Sequence, residues 1–256
     1  MAEIELTIQD RIARVHLNRP VGRNALTPEM DHKLASIWRE VDSDPDVWTI
    51  LLTAEGDEAF CIGADLARPS PQGPRLAVGG GLTGIGGPLV KLKKPVVAAV
   101  QGFCVGAGFE LAMCADILVA AETAQFGLPE TRHGIIGECG VVHRAVRHLP
   151  YHVAMAMILT GERIGAREAE RFGLVNQVVP PKDLLDAAMM WAAKVNKAAP
   201  LANQAAKAAV NGGLSLPLEA ALSTRFEEIE AFAHSADARE REIALAEGRR
   251  PVWVGC

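Results

Sequence analysis

Residues 95–110 read PVVAAVQGFCVGAGFE, and this stretch decides the fold class. Val96–Val100 is a short apolar run with turn-forming residues at both ends, which is typical of a strand buried on both faces. Glycines at positions 102, 106 and 108 follow it, and the apolar residues Phe109 to Cys114 come next. The order predicts a strand, a glycine-bearing turn over Gln101 to Gly108, and a helix, which is the repeating unit of an α/β fold.

The N-terminal half repeats this mixture of strands and helices. Ile4–Ile8 and Ile12–Leu17 alternate apolar and polar residues, which predicts a β-hairpin. Thr27 stands before Pro28 and Glu29, so a helix is expected to start there and to run to about residue 43. Apolar runs predict further strands at Val47–Thr53, Ile117–Ala121 and Val175–Val179, with a short helix at Ala166–Phe172.

Beyond Leu184 the sequence predicts helices only. These segments are rich in alanine and are interrupted at Pro200, Gly212-Gly213 and Pro217. We therefore expect an α/β core over residues 1–195 and a helical region over residues 196–256. Between the early strands, Pro69 to Pro88 is rich in glycine and proline, which favours a loop.

Composition excludes several classes of protein. The 256 residues are 49% hydrophobic and 22% charged, with a net charge of −5, so nothing suggests nucleic acid as a partner. The most apolar region, residues 95–121, contains Gln101, Glu110 and Asp116 and is a poor membrane span. Five cysteines form no paired framework, which favours reduced thiols and a cytoplasmic location.

Two carboxylates are the candidates for chemistry. Glu110 follows the glycines, whose backbone can approach a ligand closely and whose free N–H groups can stabilise negative charge. Glu130 comes 20 positions later, directly after Pro129. Two carboxylates brought together can divide acid and base roles, because repulsion and burial raise one pKa. From the residues alone both remain open, since Glu110 also suits a helix start and Glu130 a solvated loop.

A dinucleotide-binding loop is the alternative interpretation of the glycines, and it would make the protein a nicotinamide-dependent oxidoreductase. Leu111 stands where the third glycine or alanine of that fingerprint belongs, so the fit is poor. A metal centre is not expected either. His133, Cys139, His143 and His148 match no usual zinc spacing.

Several motifs in order resemble the signatures of the enoyl-CoA hydratase/isomerase (crotonase) family. They span about residues 12 to 180. They are Asn18-Arg19-Pro20, Asn24-Ala25-Leu26, Phe60 to Leu66, Pro95 to Gly102, Glu110-Leu111-Ala112, Cys114-Ala115-Asp116, Phe126 to Glu130, Leu159-Thr160-Gly161 and Gly173-Leu174-Val175. Phe109 and the ending Pro251 to Gly255 are similar to the carnitinyl-CoA dehydratase branch.

The resemblance implies a core of repeated ββα units wound as a spiral, with a C-terminal all-helical extension that forms a trimer or a dimer of trimers. It implies an enzyme that adds water across the 2,3 double bond of a 2-enoyl-CoA. No separate cofactor is implied, because coenzyme A is part of the substrate. Glu110 and Glu130 would be catalytic, and the backbone N–H groups of Ala64 and Ala107 would form the oxyanion hole. The implied CoA-binding residues are Arg23, Ala25, Ala64, Asp65, Leu66 and Ala67.

One departure from the family pattern keeps a second activity open. Many hydratases have a Pro-Gly turn shortly after the second glutamate, whereas residues 134–140 read GIIGECG here. Glu138 is therefore a candidate third acid, although a glutamate before a helix start is equally ordinary. Dienoyl-CoA isomerases resemble this chain in carrying an acid there, so an isomerase is the nearest alternative. A non-catalytic acyl-CoA-binding protein is the alternative of another class.

Overall fold

Six strands form the larger of two sheets in the computed structural model, which describes residues 2–68, 92–137 and 140–256. They are β1 (Ile4–Gln9), β2 (Ile12–Leu17), β3 (Thr49–Ala54), β5 (Val96–Val100), β7 (Ile117–Ala121) and β10 (Gln177–Val179), in the order β1-β2-β3-β5-β7-β10. The first pair is an antiparallel hairpin, and every later pair is parallel. The predicted hairpin and the predicted strands are confirmed. The predicted loop at Pro69 to Pro88 lies outside the described residues.

Four strands of three residues each form the smaller sheet of the described chain. They are β4 (Ala59–Cys61), β6 (Phe103–Val105), β8 (Gln125–Gly127) and β9 (Arg163–Gly165), in the order β4-β6-β8-β9. The predicted glycine-bearing turn over Gln101 to Gly108 is not a turn throughout, because β6 lies inside it and α2 already begins at Ala107. Strands this short carry no periodicity that a sequence pattern can reveal.

The helices follow the predicted plan. They are α1 (Pro28–Ser43), α2 (Ala107–Met113), α3 (Val141–His148), α4 (Tyr151–Thr160), α5 (Ala166–Arg171), α6 (Leu184–Val195), α7 (Pro200–Gly213), α8 (Leu218–Ser223), α9 (Glu227–Ala233) and α10 (Ala236–Glu247). Thr27 caps α1 by accepting a hydrogen bond from the Met30 amide at 3.2 Å, as its position before Pro28 predicts. Among the described residues, no helix combines the length and apolar character that crossing a bilayer needs.

The larger sheet is covered on both faces, which explains its apolar strands. Ile50, Leu52 and Ala98 point into the main core, whereas Leu51 and Val97 point the other way. Helix α6 packs on that second face through small side chains such as those at positions 188 and 192. In the central strands β3, β5 and β7 neither face meets water, so both sets of alternating positions are mainly apolar, whereas the edge strand β1 is partly exposed and alternates polar with apolar residues. The division of the chain at residues 195 and 196 stays a prediction.

Candidate active site

Gly106, between β6 and α2, and Gly108, in the first turn of α2, are required by the local backbone geometry. Gly106 precedes α2 with φ 55° and ψ −131°, a conformation that side-chain-bearing residues avoid. A Cβ atom on Gly108 would stand 2.3 Å from the carbonyl oxygen of Cys61, well inside van der Waals contact. The first turn of α2 therefore lies directly against the end of β4. This contact brings two segments that are more than 40 positions apart to the same place.

Two backbone amides predicted to act together lie in these adjoining segments. A Cβ atom built on Gly63 would stand 3.2 Å from the backbone nitrogen of Ala107. The bridge between Leu26 and Ala64 uses the amides of Leu26 and Asp65, at 2.8 and 2.9 Å, and leaves the Ala64 N–H outside the ladder. Ala107 is the first residue of α2, so its N–H has no intrahelical acceptor. The structure thus brings both predicted oxyanion donors to one site.

Glu110 is a buried carboxylate on the first turn of α2, with only 2% of its surface exposed. Within the described residues, neither carboxylate oxygen has a hydrogen bond of normal geometry. The Arg144 Nε atom lies 3.6 Å from Oε1, which is an ion-pair distance. Burial raises the pKa of Glu110 to about 8, the nearby charge of Glu130 adds to that rise, and Arg144 and the Val141 amide oppose it.

Glu130 approaches the same place from a different part of the chain. It opens a 3-10 turn, Glu130–His133, and burial raises its pKa although its own backbone amide and the His133 charge act in the other direction. Its Oε1 atom lies 3.3 Å from where a Cβ on Gly106 would be and 3.4 Å from one on Gly137. A Cβ on Gly140 would lie 3.1 Å from Glu110 Oε1. The two predicted catalytic carboxylates therefore flank the start of α2.

A cavity of about 540 Å³ opens beside this site. All six predicted CoA-binding residues line it, namely Arg23, Ala25, Ala64, Asp65, Leu66 and Ala67. The two glutamates and Ala107 are not among its lining residues. Motif comparison did not assign Phe103, Pro129, His133 or Arg163 to this cavity, because each comes from an element whose neighbours only the fold defines.

Charges in the cavity wall suit a ligand that carries phosphates. Arg19 and Arg23 line it together with Arg163, whose guanidinium stands 4.7 Å from the centre of the Phe103 ring. Arg23 forms an exposed ion pair with Glu58 at 2.7 Å. The Asp65 carboxylate accepts hydrogen bonds from Arg19 at 2.9 Å and from the Ala67 amide at 3.0 Å. Asp65 therefore holds the shape of this wall.

Two further predictions concern the surroundings of the site. Glu138, the candidate third acid, lies outside the described residues, as does Cys139. In the ranges that the structure describes, no three His, Cys, Asp or Glu side chains are grouped so that they could hold a metal ion.

Comparison with known proteins decides the family. A family model described as enoyl-CoA hydratase/isomerase matches residues 7–255. The chain belongs to this family. The motif resemblance and the expected spiral α/β fold with C-terminal helices are therefore confirmed.

Curated members of the family extend over the whole chain. An (E)-benzylidenesuccinyl-CoA hydratase of Thauera aromatica is 36% identical over 98% of this chain and 99% of its own length. A carnitinyl-CoA dehydratase of Escherichia coli K12 is 36% identical and covers 98% of both chains. Among solved structures, a short-chain enoyl-CoA hydratase candidate from Novosphingobium aromaticivorans is 62% identical, with a TM-score of 0.92 over 100% of this chain and 99% of that one.

Proposed function

We propose that this family member is a hydro-lyase that adds water across the 2,3 double bond of a 2-enoyl-CoA thioester. The observation that carries the proposal is the convergence of Glu110 and Glu130 on a turn where two backbone amides, those of Ala64 and Ala107, have no partner in the ladder or helix. Relatives named as a hydratase and a dehydratase of CoA thioesters support the same reaction.

The two amides would bind the thioester carbonyl oxygen. The hydrogen bonds from these N–H groups strengthen as that oxygen gains negative charge in the enolate, so they lower the barrier to attack at the β-carbon. Loss of one such donor typically costs about a hundredfold or more in rate. The cavity lined by Arg23 and residues 64–67 would hold the CoA portion of the substrate.

The two glutamates would handle the protons of one water molecule. One carboxylate takes a proton from water as the oxygen forms its bond to the β-carbon, and the other carboxyl group protonates the α-carbon, which consumes the double bond. The oxygens of Glu110 can still accept a hydrogen bond from the water, because Arg144 reaches Oε1 only at an ion-pair distance of 3.6 Å. Burial raises the pKa of Glu110 to about 8, so this group can exchange protons near neutral pH, and burial also raises the pKa of Glu130.

The test is loss of the conjugated-thioester absorbance when purified protein meets crotonyl-CoA and a panel of branched and aromatic enoyl-CoAs. Following the names of the relatives, the panel includes benzylidenesuccinyl-CoA as well as carnitinyl-CoA, whose dehydration is measured as a gain of the same absorbance. Glu110→Gln and Glu130→Gln should each lower kcat by about a hundredfold or more, since general acid–base catalysis contributes that much. Glu219→Gln, which changes an exposed glutamate of α8, should leave kcat unchanged.

Three outcomes would contradict the proposal. A folded protein that turns over no member of the panel is not this hydro-lyase. Migration of the double bond without hydration would instead favour an isomerase that uses Glu138. Binding of acyl-CoA without turnover would favour the non-catalytic acyl-CoA-binding alternative.

We further propose that residues 196–256 assemble the protein into a trimer or a dimer of trimers. Large apolar side chains on α7, α8 and α10 face away from their own chain, including Val210, Leu218, Leu245 and Leu222, which is 78% exposed. Exposed apolar surface of this extent indicates a covered interface. Light scattering on the eluted protein tests this, and a monomer at micromolar concentration would contradict it.

A cytoplasmic location is part of the proposal. Cys61 and Cys104 are paired neighbours on adjacent parallel strands, yet both are free thiols. Two neighbouring thiols that stay reduced are typical of a protein in a reducing compartment. A thiol titration of protein taken directly from cells would test this, and a disulfide between these two residues would contradict it.

A further inference from the structure

Helix α3 presents two groups to Glu110 from one face. Val141 is the first residue of α3, and Arg144 follows it three positions later, so both lie on the same side of the helix. The Arg144 guanidinium reaches to 3.6 Å from Glu110 Oε1, and 22% of the arginine side chain is exposed. Helix α3 packs against α2, which carries Glu110. The contact therefore joins two helices rather than two neighbours in sequence.

The other ionisable groups around Glu110 do not supply a positive charge. Glu130 is itself an acid, and Cys114, which follows the last residue of α2, is a half-buried thiol whose pKa desolvation raises to about 12. Cys61 and Cys104, on the strands against which α2 packs, are buried thiols with raised pKa values as well.

Two further ionisable residues follow Arg144 on α3: Arg147 is exposed and donates to the backbone oxygen of His143, and His148 holds a proton less readily than an ordinary histidine. Burial lowers the pKa of His148, and the positive charge of Arg144 lowers it further. Among the described groups whose charge acts directly on Glu110, Arg144 is therefore the cation.

We propose that Arg144 is a positioning residue of this enzyme, which fixes the Glu110 carboxylate in the site and governs when that carboxylate carries a proton. The inference rests on the proposed function. A carboxyl group buried as deeply as Glu110 has a strong preference for its neutral form. The guanidinium offsets part of that preference, so Glu110 can release its proton to the substrate and recover one in each turnover.

The experiment compares Arg144→Gln and Arg144→Lys with the unmodified protein across pH, in both the hydration and the dehydration direction. Arg144→Gln should move the Glu110-dependent limb of the kcat profile to higher pH by roughly one unit or more, as expected when an opposite charge is removed at this distance. Arg144→Lys should move it less, because the charge remains. KM should change little in both variants, since Arg144 does not line the CoA cavity.

Arg147→Gln is the matched control. Arg147 lies on the same helix, is exposed, and donates to the backbone oxygen of His143 rather than to a carboxylate. Its removal should leave the pH profile in place. If Arg144→Gln lowers kcat equally at every pH, or if Arg147→Gln shifts the profile as much, Arg144 has only a structural role and the inference fails.

A second measurement separates this inference from the proposed reaction. Thermal unfolding of the unmodified protein and of Arg144→Gln, each with and without Glu110→Gln, reports the proton affinity of Glu110 without any substrate. Loss of Arg144 should increase the dependence of Tm on pH only where Glu110 is present. Activity on no acyl-CoA would overturn the proposed function, whereas an unchanged pH dependence of Tm would overturn the role of Arg144.

Discussion

Glu110→Gln should make the protein more resistant to alkaline pH while it removes activity. Burial raises the pKa of Glu110 from 4.5 to about 8, so the folded protein binds a proton there that the unfolded chain has already lost. Such a group favours folding fully below the unfolded pKa, and that contribution disappears as pH rises through the folded pKa. Stability should therefore fall between pH 5 and pH 9. Glutamine carries no charge, so the variant should lack this decline.

The structure sets the size of the effect. The pKa moves from 4.5 to about 8 in a side chain that is only 2% exposed, so little of the effect is lost to solvent screening. At about 1.36 kcal/mol for each unit, the free energy of unfolding should drop by about 3–5 kcal/mol from pH 5 to pH 9 on account of this one residue. For a domain of this length, that loss corresponds to a Tm lower by roughly 6–20 °C.

Urea unfolding at pH 5, 7 and 9 measures this decline directly. Protein concentration must be held constant, because assembly would contribute to the apparent stability. For each protein, the change in the free energy of unfolding from pH 5 to pH 9 is determined. The difference between these two changes is the readout, because it cancels any pH-independent cost of a buried amide. Glu219→Gln should follow the unmodified protein. If the free energy of unfolding falls equally with pH in the unmodified protein and in Glu110→Gln, the reasoning is refuted, since Glu110 would then have the same proton affinity in the folded and unfolded states.

Two further predictions concern the glycine turn and the cavity. Gly108→Ala should lower the free energy of unfolding by about 1–3 kcal/mol, the usual cost of overpacking, because its Cβ would meet the Cys61 oxygen at 2.3 Å. Gly213→Ala, whose nearest contact is 3.4 Å, should unfold much like the unmodified protein. Arg23→Gln should raise KM for crotonyl-CoA roughly fivefold, because it removes an exposed ion pair with a CoA phosphate that contributes about 1 kcal/mol to binding. Crotonyl-pantetheine, which lacks the nucleotide phosphates, should show no such change, and an equal rise for both substrates would contradict the assignment.

Local patterns predicted most of the larger elements because each has a physical reason that is local. Thr27 before Pro28 marks the start of α1, and the continuous apolar run Val96–Val100 marks a strand that is buried on both faces. The short strands of the smaller sheet gave no such signal. Phe103–Val105 becomes a strand because β4 and β8 lie on either side of it, and that pairing depends on residues far away in sequence.

By itself, the sequence determined the types of most elements, the family, and the identity of the two candidate carboxylates, since all of these follow from motifs and from neighbours along the chain. Only the tertiary structure decided that Arg144 faces Glu110, that Gly63 adjoins Ala107, and that a cavity opens beside them. It also decided the pKa of Glu110, because desolvation depends on which elements pack around a group. Proton affinity belongs to that three-dimensional environment, whereas a motif records only which residue stands there.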